Sequence, residues 1–457
     1  MSRNQAGIRA RLDRGALLAL CDRGVQAALD AGADEAEVYA EATAEVEVSL
    51  AKNDLDQVRV SDEVSFGVRV FVGGRLGFAT ANDPGAVVAT ARDAIAVAKA
   101  SPVDPGAGLP AARALQDRPD AVDESLLVIE TGALAKLAVD LLAWTRGRDP
   151  RITVDTGGLA VAHAVRAISA STGVRAAWGS AAGSGHMFGM ALDGDTVGSF
   201  AYDGDAVRTL AELRPRLESA FDRFVGAATG ALGATAGESF RGPIVLPPEA
   251  VEDVLIGPLL GNLGGDAVRQ GRSALANRVG ERIAAPGFTL VEGGPGLAGY
   301  PLCPFDREGQ PRVSMPLVED GVLRGFMYDG REARAAGVES TGHAQGGATA
   351  LPRVGAGALE LATGPVPVSE LERMERGVIV TRFSGSTDPV SGDFSGVVKG
   401  GFLVRDGERR AIHETTIAGN LWDCLMNVSA RADAAEVRYG SRAWPALRVE
   451  DVSITAG

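Results

Sequence analysis

Between Phe66 and Phe78 the chain reads Phe-Gly-Val-Arg-Val-Phe-Val-Gly-Gly-Arg-Leu-Gly-Phe, two extended runs with a pair of glycines between them. A two-residue connection between twisted strands needs positive φ, which glycine adopts without steric cost. This stretch therefore commits its part of the chain to a β-hairpin. Just upstream, Glu45-Val46-Glu47-Val48-Ser49-Leu50 alternates strictly, the pattern of a strand with one buried face. A sheet begun this way needs covering helices. Residues 15–32 supply one, with Leu17, Leu20, Cys21, Ala28 and Leu29 near helical spacing and Gly32 as its stop. Asp83-Pro84 opens another, running to about Ala100, with aspartate as N-cap and proline at the first helical position.

A loop rich in Pro, Gly and Asp (101–120) leads to a long helix expected over 124–146, where Leu126, Ile129, Ala133, Leu134, Leu137 and Leu141 share a face. Three strands are expected next, over 163–171, 173–181 and 186–192, as a meander, and then a helix over 206–229. The Gly/Ala-rich stretch 226–237 marks a boundary. Beyond it come a short strand at 243–248 and a helix from Pro248 to about Leu263. From Ala285 the chain reads as short strands, at 288–291, 313–317, 322–328, 358–361, 377–383, 395–405, 410–416 and 446–454, interrupted by one helix at 420–428. The fold class is α+β. An N-terminal α+β domain (1–235) with an antiparallel sheet and long helices precedes a mainly β C-terminal domain (236–457), a division that 457 residues require, since single cores seldom grow so large.

The formal net charge of −14 repels phosphate backbones, and no Lys/Arg stripe overrides it, so nucleic acid is not an expected partner. Three cysteines, Cys21, Cys303 and Cys424, far apart and without a CxxC pair, point to a reducing compartment. The first fifteen residues carry scattered charge and no apolar core, so no secretory leader is expected. The longest uncharged stretches, such as 176–192, are broken by Gly and Ser, and no membrane span is expected. Together these give a cytoplasmic assignment.

Residues suited to chemistry are sparse. A catalytic zinc ion needs about three ligands and an open position. The four histidines, His163, His186, His343 and His413, are scattered, and His413-Glu414-Thr415-Thr416-Ile417 begins like His-Glu-x-x-His but lacks the second histidine. A site assembled in space from His343, His413 and Cys303 or Cys424 stays open beside surface or strand roles for the histidines and packing roles for the cysteines. Asp388-Pro389-Val390-Ser391-Gly392-Asp393-Phe394-Ser395 could bind a cation or phosphate, or be a turn in which Asp and Ser side chains satisfy the backbone. There is no Gly-x-Ser-x-Gly elbow, and Gly183-Ser184-Gly185-His186 reads as a hairpin connection. Gly261-Asn262-Leu263-Gly264-Gly265 lacks the Gly-Lys-Ser/Thr ending of a phosphate loop.

Several segments, taken in order, resemble the TldD/PmbA family over nearly the whole chain. They are Ser65–Ala79, then Gly321-Val322-Leu323 followed by Tyr328, Ser340-Thr341-Gly342-His343-Ala344, Val390-Ser391-Gly392-Asp393-Phe394-Ser395, and Thr416-Ile417-Ala418-Gly419-Asn420-Leu421. The TldD branch of the family resembles a zinc protease, with His-Glu-x-x-x-His on a helix early in the second domain and a cysteine near the C-terminus. The corresponding stretch here is Gly257-Pro258-Leu259-Leu260-Gly261-Asn262-Leu263-Gly264-Gly265-Asp266, leading to Gly271-Arg272-Ser273, without either histidine or the glutamate. The later motifs are similar to the metal-free PmbA (TldE) branch.

The resemblance implies a non-catalytic subunit of a heterodimeric zinc metallopeptidase that degrades or processes unfolded peptides and peptide precursors. No catalytic or metal residue and no cofactor is then expected in this chain; zinc is expected in a TldD-like partner, with unfolded peptide as the shared substrate. Thr341, Gly342, His343, Ser391, Gly392, Asp393, Phe394, Gly419 and Asn420 are its candidate chamber-lining or partner-interface residues. Two other readings stay open: a free-standing homodimeric peptide-binding protein, and an independent hydrolase with a scattered metal site.

Overall fold

Alternate residues of one long strand organise the first half of the chain. In the computed structural model, which describes residues 8–457 apart from positions 105 and 298, β1 (Glu35–Ala51) buries every second residue from Ala36 to Leu50. Its neighbour β2 (Asp54–Val72) turns through Gly73 and Gly74, at φ 55° and 70°, into β3 (Arg75–Ala81). On the other side of β1 lie β4 (Ile152–Ala170) and β5 (Arg175–Asp193). The short strands Thr196–Val197 and Ala201–Val207 both pair with β5, giving a seven-stranded antiparallel sheet. One face carries two layers of helix end to end. Helices α1 (Arg14–Asp30) and α2 (Val87–Ala100) cover Ala36, Val38, Ala40 and Ala42, while the helices Thr131–Arg148 and Leu210–Gly230 cover Val46, Val48 and Leu50.

Three local expectations fail here for identifiable reasons. The segments 173–181 and 186–192 are one strand, because Gly183 and Gly185 do not turn the chain. They let a helix approach: a Cβ on Gly183 would lie 3.0 Å from Leu213 Cδ1, and one on Gly185 2.8 Å from Leu217 Cδ1. The helix expected over 124–146 is broken into Glu124–Leu127 and Thr131–Arg148. Leu126 and Leu127 are both buried in the first piece and join the core that the second piece covers. The helix expected from 206 begins at Leu210, after the strand Ala201–Val207.

The second half builds a twelve-stranded mixed sheet whose strands fall between Thr235 and Ala456. Its spine is Arg442–Ala456, which pairs with Phe240–Leu246, Thr415–Asn420, Val428–Arg438 and Leu359–Leu361. A helical run from Pro248 to Asn262 packs Val251, Val254, Leu255 and Leu259 into the core. It contains a π turn at Glu252–Ile256, closed by the Gly257 N–H on the Glu252 carbonyl. Pro258 follows at once and has no N–H with which to continue the α-helical ladder. The expected strand at 322–328 shrinks to Val322–Leu323, and the one at 410–416 is divided at Glu414, where φ is 49°. A helix at Gly330–Ala336 and the strand Val428–Arg438 were not expected. The latter, Val-Ser-Ala-Arg-Ala-Asp-Ala-Ala-Glu-Val-Arg, has no alternation of its own and is extended because its neighbour pairs with it.

The remaining face of the first sheet meets the second half of the chain. Glu37 and Tyr39, on the face of β1 opposite its alanines and valines, are buried. Against them lies the loop 304–311, itself buried throughout although it contains Asp306, Arg307 and Glu308. Gly309 sits there at φ +71°, and a Cβ would fall 2.2 Å from Val174 Cγ1, so both conformation and space demand glycine. No helix among the described residues is long and apolar enough to cross a membrane.

Candidate functional site

Burying three ionisable side chains in one loop requires partners, because an unpaired buried charge costs several kcal/mol. The first sheet supplies them. Arg307 Nη1 donates to Glu37 Oε1 (2.8 Å), Arg69 Nη2 to Glu37 Oε2 (2.7 Å), and Arg69 Nη1 pairs with Glu308 Oε1 (2.8 Å). Glu308 Oε2 also accepts the Gly330 N–H (2.6 Å), at the start of the helix that Asp329 caps. Asp306 accepts three backbone N–H groups, from Glu308, Gln310 and Ala344 (2.8, 2.9 and 2.9 Å), which fixes the loop's shape. Burial, then the nearby Glu308 carboxylate, pushes the Asp306 carboxyl up, and the same two causes raise Asp329 to about 7.

The loop and the sheet enclose a cavity of about 530 Å³. Arg307 lies 4.1 Å from the centre of the Tyr39 ring and Arg208 lies 4.2 Å from that of Tyr300. Arg166 and Arg312 complete the cationic lining, with Glu41 and Asp306 as its carboxylates. Glu41 is committed to Arg166 Nε (2.9 Å) and the Ala348 N–H (3.0 Å). Trp178, whose indole N–H donates to the Pro119 carbonyl (3.1 Å), forms part of the wall. Cys303 also faces the cavity, but burial raises its thiol to about 11, so it is protonated at neutral pH and a poor nucleophile. A smaller cavity of about 390 Å³, bordered by Pro295, Pro304 and Pro311, shares Arg312 with the first.

The residues singled out from the sequence fall in two separate places. Thr341, Gly342 and His343 adjoin the buried loop. Gly342 has φ +76°, and a Cβ there would meet the Pro311 carbonyl at 2.3 Å. His343 Nδ1 is 2.8 Å from Thr341 Oγ1, its Nε2 is 3.7 Å from Glu292 Oε2, and burial followed by Arg312 lowers it to about 4. The next residue, Ala344, lines the cavity. Ser391, Gly392, Asp393, Phe394, Gly419 and Asn420 gather elsewhere, where the strands Asp393–Arg405 and Thr415–Asn420 pair. Asn420 Nδ2 donates to the Ser391 carbonyl (2.8 Å) and Asp393 Oδ1 (2.9 Å), and its Oδ1 caps the helix Leu421–Met426 at Trp422 N–H. Gly392, at φ +82°, stands where a Cβ would meet Trp422 Nε1 at 2.5 Å. Phe394 is buried edge-on to Phe383. Asp388 accepts the N–H groups of Val390 and Ser391 (2.9 and 2.7 Å), so this segment is the side-chain-stabilised turn rather than an open ligand cage.

Zinc does not fit the donors this chain presents along the helix Gly257–Asn262, the stretch that the sequence resemblance sets against a zinc motif. The helix Gly257–Asn262 offers glycine, proline, leucine and asparagine, with Leu259 buried in the core. Asn262 is spent on the Pro258 carbonyl (3.2 Å) and the Ala274 N–H (2.8 Å). His413 is half exposed beside Glu414, Cys424 is in the core of the second sheet, and His343 is buried behind Glu292. Among the described residues no three His, Cys, Asp or Glu side chains are grouped to hold a metal ion.

Two halves of this shape, joined through a buried charged loop, define a protein of the PmbA/TldD architecture. Residues 239–456 match the PmbA/TldA metallopeptidase C-terminal domain and residues 36–98 match PmbA/TldA metallopeptidase domain 1. The chain belongs to the PmbA/TldD family. It is 27% identical to metalloprotease PmbA of Escherichia coli O157:H7 over 428 residues, covering 89% of each chain. It is 25% identical to a metalloprotease PmbA homolog of Haemophilus influenzae, covering 91% of this chain and 90% of that one. Its fold is similar to that of TldE from Thermococcus kodakarensis, with a TM-score of 0.87 at 22% identity, covering 95% of this chain and 99% of the other.

The arginines and tyrosines of the cavity were not legible beforehand. They are spread from Tyr39 to Tyr439, and only the alternation of β1 carries a hint, by placing Tyr39 and Glu41 opposite Ala40 and Ala42.

Proposed function

We propose that this chain is the metal-free, non-catalytic subunit of a heterodimeric zinc metallopeptidase that processes unfolded peptides and peptide precursors. The observation that carries this reading is the helix Gly257–Asn262. Where the catalytic branch of the family places imidazoles and a glutamate, it presents a packed leucine, a committed asparagine, glycine and proline. Zinc hydrolysis needs ligands to hold the ion and a base for its bound water, so hydrolysis falls to a TldD-like partner.

A surface for extended chains supports the reading. β3 pairs with β2 only from Phe66 onward, and the earlier part of β2 exposes Val58 and Val60 along an edge. Such an edge offers main-chain donors and acceptors to an extended strand, from a partner or a substrate, with little demand on sequence. The chain would contribute shape and binding, while the partner contributes the metal. Mixing the purified chain with a TldD-like protein from the same genome tests this. A one-to-one complex that cleaves an unstructured peptide neither component cleaves as fast alone is the expected result; no association, or partner activity indifferent to this chain, would defeat the reading.

A further inference from the structure

The cavity between the first sheet and the buried loop is lined by four guanidinium groups and two carboxyl groups. Of its four guanidinium groups, Arg166 is matched by Glu41 and Arg307 by Glu37. Among the described residues Arg208 and Arg312 form no ion pair. Their polar contacts are carbonyls: Ala181 for Arg208 Nη1 (3.0 Å) and Phe305 for Arg312 Nε (3.3 Å). Three buried guanidinium nitrogens, Arg208 Nε, Arg307 Nη2 and Arg312 Nη1, have no hydrogen-bond partner. Arg307 is 2% exposed, so its charge cannot be dissipated into solvent. Arginine stays protonated, and a buried donor without an acceptor is costly, so an arriving anion relieves a standing penalty. Asp306 accepts three backbone N–H groups and hydrogen-bonds neither arginine, while its carboxyl and that of Glu292 act on Arg312 only through space.

The remaining lining selects among anions. Tyr39, Trp178, Tyr300 and Phe305 surround the arginines with aromatic surface, and the volume of about 530 Å³ lies within the range of about 300–1,000 Å³ usual for small-ligand sites. A bare phosphate would leave the aromatic walls without contact. A carboxylate attached to an apolar group would use both.

We propose that this cavity binds the free C-terminal carboxylate of a peptide, with Arg208 and Arg312 as its principal donors and the aromatic walls receiving the terminal side chain. The site would anchor one end of an unfolded chain on this subunit. The inference rests on the peptide-handling part of the proposed function and needs neither zinc nor a partner.

The test is calorimetric titration of the isolated full chain with random-sequence octapeptides, once with free C-termini and once amidated. The free acids are expected to bind about tenfold or more tightly than the amides, the loss usual for a charge-assisted hydrogen bond. Arg208→Gln and Arg312→Gln are expected to remove that preference while their circular dichroism matches the parent. Trp178 offers a fluorescence readout, and inorganic phosphate should compete weakly. Should a variant misfold, the acid-versus-amide comparison on the unaltered chain decides alone. Equal affinity for acid and amide, no binding of either, or inorganic phosphate binding more tightly than any peptide would overturn the proposal. None of these outcomes bears on whether a TldD-like partner is activated, so the two claims fail separately.

Discussion

At the scale of residues, a few buried charges join the two halves of the chain. Arg69 is 5% exposed and joins Glu37 to Glu308 across the two halves of the molecule. Arg69→Met keeps most of the volume but leaves two carboxylates buried without their shared cation. A loss of about 3–5 kcal/mol in urea denaturation is expected, a large fraction of a typical domain's stability. Asp329 gives a pH signature. Its carboxyl is raised from the usual 3.8 to about 7, by burial and then by Glu308. Between those values the folded chain retains a proton that the unfolded chain has released, so this group's contribution to stability declines as pH rises through that window. Asp329→Asn keeps an acceptor for the Glu332 N–H that caps the helix Gly330–Ala336. It is expected to flatten the slope, matching the parent near pH 4 and exceeding it near pH 8; an unchanged slope of stability against pH would exclude Asp329 as its source. Asp393 is exposed and its carboxylate accepts one exposed hydrogen bond, from Asn420, so Asp393→Ala is expected to fold normally and to slow peptide turnover by the reconstituted pair; unchanged turnover would remove it from the candidate surface.

At the scale of elements, the loop 304–311 ties both halves of the chain to one cavity wall. Gly309→Ala tests it. A methyl group there meets Val174 and forces a non-glycine residue to φ +71°. A destabilisation of at least about 2 kcal/mol is expected, seen as a lowered thermal midpoint. The elements also show where reading the sequence succeeds. Strands with one face buried by helices announce themselves, as β1 does through alternation, and the Gly73-Gly74 turn fixes a hairpin because its geometry is local. Legibility fails where a distant neighbour decides. Gly183 and Gly185 look like a turn until the leucines of the helix Leu210–Gly230 require the space. Val428–Arg438 is a strand only through its pairing with Arg442–Ala456. The candidate site fails for the same reason. The motif at Ser391–Phe394 is conspicuous because its turn is local, whereas Arg208 and Arg312 acquire meaning only when two sheets close around them.

At the scale of the whole molecule, a PmbA/TldD architecture is present, and its helix Gly257–Asn262 carries ordinary packing residues. The proposed account gives the chain a structural and binding task and leaves hydrolysis to a partner. Its most direct test is a paired measurement of zinc content and cleavage of an unstructured peptide, made on this chain alone, on a TldD-like protein from the same genome, and on the two together. The account predicts no stoichiometric zinc and no cleavage for this chain alone, and zinc with enhanced cleavage for the pair. One zinc ion bound per copy of this chain, with peptide cleavage in the absence of any partner, would contradict it.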